Sequence, residues 1–176
     1  PMKKVIAVLA LVLAAGAALF FLNRPPAPFD LAELTPAETV ESCPSAELSL
    51  EIDGHSLELT FQNNSDSWLA SGASVDRNND FFFHGGLDVF LDGQWYQVPS
   101  EDIVTAGVGL ELEPGDSVSG AYSFVGYEQL PDGQYRFPFG YWVFDPTSDR
   151  PISEGPYYES YAEFLVEDGQ YTLPSG

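Results

Sequence analysis

The sequence is poor in basic residues and in the side chains that most often carry chemistry. Its 176 residues include two histidines, one cysteine and one methionine, and 6 lysines and arginines stand against 27 acids. A single cysteine excludes an internal disulfide and a cysteine-based zinc site. The formal charge of −21 repels phosphate backbones, so nucleic acid is excluded as an expected partner. Hydrophobic residues still make up 44% of the chain and aromatics 14%, which suffices for a packed core and argues against wholesale disorder.

The few bases are unevenly placed. Lys3, Lys4 and Arg24 lie in the first 24 residues, which contain no acid. From residue 25 onward all 27 acids face only Arg77, Arg136 and Arg150, a net −24 without a lysine. Such an asymmetry fits a membrane boundary. Val5 to Leu22 is an uncharged apolar run of 18 residues, about 27 Å of helix and close to the hydrocarbon thickness. Asn23-Arg24-Pro25-Pro26 ends it. The expectation is an uncleaved signal anchor over residues 1–24, contacting the membrane through residues 5–22. Lys3 and Lys4 stay on the cytoplasmic side and the acidic remainder lies outside. Secretion after cleavage near Ala15-Gly16-Ala17 is the alternative. Cys43 follows Val40-Glu41-Ser42 well beyond the apolar run, so it does not read as a lipid-bearing cysteine; a packed or idle thiol is expected.

Residues 25–45 hold Pro25, Pro26, Pro28, Pro36 and Pro44 and read as an acidic tether, with a short helix around Leu31–Leu34. From residue 46 the pattern alternates. Leu48, Leu50 and Ile52, then Leu57, Leu59 and Phe61, predict a hairpin turning at Asp53-Gly54. Residues 62–80 are polar and read as a long loop. Residues 87–98 predict a second hairpin around Asp92-Gly93. Strands are expected over 108–112 and 117–125, then over 135–139 with a break at Gly140 before 141–144. A proline loop follows over 145–156, then a last strand over 161–166 and a tail over 168–176. The fold class expected is all-β, an antiparallel β-sandwich over residues 46–167 preceded by one N-terminal hydrophobic helix.

Four motifs in order sharpen this. They are Leu59-Thr60-Phe61-Gln62-Asn63-Asn64-Ser65, Gly86-Leu87-Asp88-Val89-Phe90 with Asp92-Gly93-Gln94-Trp95-Tyr96-Gln97-Val98-Pro99, Leu112-Glu113-Pro114-Gly115-Asp116-Ser117, and Leu130-Pro131-Asp132-Gly133-Gln134-Tyr135-Arg136. Together they resemble a bacterial immunoglobulin-like domain family of exported and membrane-attached proteins. The resemblance implies an immunoglobulin-like sandwich and transfers no catalytic residue. The long 66–83 and 145–160 segments depart from that pattern and are the first places to look for binding. Trp95 is expected as a core aromatic. Tyr135, at a strand start after a turn, is expected to bond back to nearby backbone as a tyrosine corner.

Candidates for chemistry are sparse. Asp76, Asn78 and Asp80 have the D-x-N-x-D spacing of half a calcium loop, although Phe81 replaces the glycine and Leu87 the glutamate that complete one. Calcium is therefore the one cofactor considered, and only weakly. His55 and His84 form no triad signature and read as loop or surface histidines. Carboxylates are too abundant to single out a hydrolytic pair. Asn63-Asn64-Ser65 fits a glycosylation sequon and reads as incidental. Arg136 reads as a strand-surface charge. The leading expectation is a non-catalytic extracytoplasmic domain that binds or spaces, its ligand an unidentified protein or glycan. A carbohydrate-binding module using exposed aromatics is the alternative, and an exported hydrolase using a carboxylate pair is a remote third.

Overall fold

The structure is a computed structural model that describes residues 28–78, 80–101 and 106–175. The expected membrane segment 5–22 lies outside the described residues. Within them the chain is all-β. The strands are β1 (Thr35–Pro36), β2 (Ala46–Asp53), β3 (Ser56–Asn63), β4 (Trp68–Val75), β5 (Phe81–Phe82), β6 (Asp88–Leu91), β7 (Gln94–Gln97), β8 (Ala106–Leu112), β9 (Ser117–Ala121), β10 (Gly133–Phe144), β11 (Tyr157–Glu167) and β12 (Gln170–Thr172). Short 3-10 turns span Leu31–Glu33 and Ile152–Glu154.

Two antiparallel sheets face each other in a sandwich-like arrangement. The smaller has the order β2-β3-β9, and the larger runs β1-β7-β6-β10-β11-β12. β10 is the spine of the larger sheet. One edge pairs with β11 from Gly133 to Trp142. The other edge is shared, taking β6 at Gln134–Arg136 and β4 at Trp142–Phe144. β4 then carries β8 on its far side.

Alternation decides what each strand buries. Tyr135, Phe137, Phe139 and Tyr141 of β10 point inward, as do Leu57, Leu59 and Phe61 of β3 and Ala162, Phe164 and Val166 of β11. Their rings interlock: Phe61 lies 4.8 Å from Phe139 and 5.0 Å from Tyr141, and Tyr135 stacks on Phe164 at 5.5 Å. Each such pair adds about 0.5–1.5 kcal/mol beyond the area it buries. The hairpins at Asp53-Gly54 and Asp92-Gly93 form where the sequence places them. Gly54, Asp92 and Gly93 all adopt the positive φ that these turns require.

Several expectations need correction. Residues 62–80 are not one loop, because Trp68–Val75 is a full strand between β10 and β8. Its Ala, Ser and Gly residues hide it from a hydrophobic-period reading. β10 runs through Gly140 without a break, since the missing side chain there leaves room for the Tyr157 hydroxyl. The tail contributes β12, folded back by Asp168-Gly169, both at positive φ. Residues 28–45 are docked on the sandwich and do not hang free as a tether. Phe29, Leu34 and Cys43 pack against the core, and Thr35–Pro36 pairs with β7. The short helix expected near Leu31–Leu34 is a single 3-10 turn capped by Asp30.

Candidate functional site

The outer face of the larger sheet carries two features, a latch at the β7 end and an open trough at the β4–β8 end. The latch is built on Arg136. It is not the solvated surface charge expected from the sequence, being only 3% exposed. Its partner Asp88 lies directly opposite on β6, so both side chains share one face and meet at 2.8 Å through Nε and Oδ2. The guanidinium lies between two rings, 4.6 Å from the centroid of Trp95 and 4.2 Å from that of Tyr161. Its remaining nitrogens donate to Thr39 Oγ1 and to the Glu38 carbonyl, both at 3.2 Å. One side chain thus pins the N-terminal strap to the sheet. Burial pushes the Asp88 carboxyl above its ordinary range, and Arg136 offsets this only in part.

The strap continues along the same face. The Val40 N–H donates to the Tyr161 oxygen at 2.8 Å, and Ser42 donates to the Glu159 carbonyl at 2.6 Å. The Glu159 carboxylate accepts from the Tyr161 hydroxyl at 2.7 Å and from the Tyr157 hydroxyl at 3.0 Å. Burial first, then the neighbouring Glu159, push both phenols up to about 12.

The trough lies on the far side of Trp142, over β4 and β8. Trp142 pairs with Tyr157 across β10 and β11, their rings 5.0 Å apart, and Tyr157 is 40% exposed. The floor is Gly72 and Gly109, directly opposite one another on β4 and β8, where an added Cβ would meet nothing within 4 Å. Trp142 and Ile152 form apolar walls, Glu111 and Ser153 add polar groups, and the volume is about 390 Å³. A second hollow of about 620 Å³ lies under the 145–156 loop, with Arg150, Asp145 and Glu154 among its lining. Asp145 is held below its ordinary value by the Thr147 hydroxyl and amide.

The residues singled out from the sequence fall in separate places. Asp76 uses its carboxylate on its own loop: Oδ1 accepts from the Asn78 and Asp80 amides at 2.7 and 2.9 Å. Among the described residues no three His, Cys, Asp or Glu side chains gather as a metal site. Trp95 lies half-buried against Phe90 and Arg136 and is absent from the core, because its register with Phe90 puts it on the outer face. Tyr135 is wholly buried, and its hydroxyl donates to the Pro131 carbonyl at 2.7 Å. Burial pushes this phenol up. His55 is exposed beside Tyr171. His84 flanks Phe82, with Nδ1 shut off from solvent and unpartnered. Asn63 of the sequon is fully buried, its amide donating to the Ser67, Leu112 and Glu113 carbonyls, which leaves nothing for a glycan to reach.

Sequence reasoning missed the latch and the trough's glycine floor. Asp88 and Arg136 stand far apart in the chain, and only strand register brings them together. No family model, curated protein or solved structure matches this chain.

Proposed function

We propose that the chain is a non-catalytic binding domain of immunoglobulin-like type, attached to a membrane through residues 5–22 and displayed outside the cytoplasm. The observation that carries the binding reading is the open trough beside Trp142. The aromatics Phe61, Phe83, Tyr135, Phe137, Phe139, Tyr141 and Phe164 are locked between the sheets, whereas Trp142 lines an uncovered hollow on the outer face and its cross-strand neighbour Tyr157 is exposed. An exposed aromatic beside a side-chain-free floor presents flat apolar area that a partner can cover at low entropic cost. The acidic side chains Glu47, Glu51 and Glu58 face outward from the smaller sheet and keep that face solvated, which leaves the larger sheet as the face for contact.

The test has two arms. Membrane-impermeant labelling of intact cells should reach the domain, and labelling only after lysis would contradict the display. In the second arm, the full chain and its Trp142→Ala variant are compared by tryptophan fluorescence against a panel of peptides and oligosaccharides. Ligand-dependent quenching lost in the variant supports the trough. Quenching that persists in Trp142→Ala would move the site elsewhere.

The half-buried Trp142 and the exposed Tyr157 favour a carbohydrate as the ligand in a second reading, because sugar rings stack on accessible aromatic faces. The burial of Tyr135, Phe137, Phe139, Tyr141 and Phe164 in the core counts against an extended aromatic platform. The glycan reading therefore rests on Trp142 and Tyr157 alone.

A further inference from the structure

β8 is the terminal strand of its wing of the larger sheet. It pairs with β4 over its full length, from Ala106↔Val75 to Leu112↔Leu69, and among the described residues no strand pairs with its outer edge. The neighbouring long edges are handled differently. β7 pairs with β1 at Tyr96 and Gln97, β11 with β12 over residues 165–167, and β9 is followed by a bridge to Phe83, whose N–H donates to the Ala121 carbonyl and whose carbonyl accepts from the Ser123 N–H. β8 has none of the usual safeguards. It lacks proline and lysine, carries Glu111 as its single charge, and exposes Gly107, Val108 and Gly109, with Val108 at 41%. An edge with a single charge and no proline is a template for an added strand.

We propose that the outer edge of β8 accepts an extended cationic peptide segment of another protein as an additional strand. One arginine or lysine side chain of that segment lies in the trough beside Trp142. This rests on the binding reading above and names the partner chemistry. An added strand points alternate side chains to the outer face, where the trough adjoins β8 at Gly109, Leu110 and Glu111. A long aliphatic stem fits the apolar walls, its cationic head can lie over the Trp142 ring, and among the described residues Glu111 makes no ion pair that would have to break. Charge selects the partner. A second copy would bring −24 against −24, whereas a basic segment is drawn in by the same field.

The test uses the full chain and a positional-scanning library of capped heptapeptides. Selection for arginine or lysine at alternate positions, with slowed amide exchange confined to residues 107–112, is expected. N-methylating alternate amides of the best heptapeptide on its pairing edge should weaken it about tenfold or more, as each lost backbone bond is worth about 0.5–1.5 kcal/mol. Glu111→Gln should weaken it several-fold while the melting temperature holds. An absence of positional preference, protection at another strand, or affinity indifferent to N-methylation would each overturn the proposal. If the library is silent while oligosaccharides quench Trp142, this inference fails and the wider binding reading stands. If neither binds, both fail.

Discussion

Replacing Arg136 by methionine removes the charge, the planar fork and the strap's anchor while keeping an apolar stem of similar reach. Arg136 is 3% exposed and its partner Asp88 is 8% exposed at the side chain, so the loss strands a buried carboxylate. Breaking a buried pair in this way costs about 3–5 kcal/mol. The lost stacking between Trp95 and Tyr161 and the two bonds to Glu38 and Thr39 act within that same figure and do not simply add to it. For a domain of this size each kcal/mol moves the melting temperature about 2–4 °C, so a fall of about 6–20 °C is expected. Urea unfolding of the full chain, followed by tryptophan emission, measures the free energy, and amide exchange over residues 35–43 reports the strap. The pH dependence carries its own sign. The folded Asp88 carboxyl titrates above its ordinary value, so its contribution is fully present below the unfolded value and is lost as pH climbs through the folded one. Without Arg136 the carboxyl rises further, and the variant should lose less stability at pH 4 than at pH 7. A companion Asp88→Leu/Arg136→Met double variant should recover much of the loss. A single-variant cost under about 1 kcal/mol, on the scale of an exposed pair, would refute the latch, as would unchanged exchange over 35–43.

Other outcomes follow from the same contacts. Tyr135→Phe removes the buried bond to Pro131 and should cost about 1–3 kcal/mol in urea unfolding, since the carbonyl is left without its donor. Asn63→Ala strands the Leu112 carbonyl in the interior and loosens its contacts to Ser67 and Glu113, and should cost more than Tyr135→Phe in the same assay. Gly140→Ala places a Cβ into the Tyr157 hydroxyl, and should shift the near-ultraviolet tyrosine signal and lower the melting point. Asp76→Ala frees the Asn78 and Asp80 amides and should speed exchange at both, equally with calcium or with a chelator.

The two DG hairpins, the alternating strands β2 and β3 and the 161–166 part of β11 are legible because each signal is local, a period of two ended by turn residues, whereas the start of β11 at Tyr157 is not. β4 was illegible because Leu69, Ala70 and Ser74 fill a gap between other strands, and small side chains carry no period. The strap was misread for a related cause. Five prolines and scattered acids describe a spacer, and the groups that hold it, Arg136 at Glu38 and Thr39 and Tyr161 at Val40, are distant in the chain. Trp95 falls on the outer face because strand parity is set by register with β6, and Arg136, on the outer face as expected, is buried there by the strap, neither of which a single-strand pattern reveals. The trough was half legible. The 145–160 segment stands out in the sequence, while Trp142, Gly72 and Gly109 become a wall and a floor only once β10, β4 and β8 pair.

The most direct test of the account is amide-exchange footprinting of the full chain with the tightest ligand from the combined peptide and oligosaccharide panel. Slowed exchange over residues 107–112 and around Trp142 and Tyr157, with the Arg136 strap unchanged, is the predicted result. Protection confined to the opposite end, at residues 98–101 and 126–131, would contradict it.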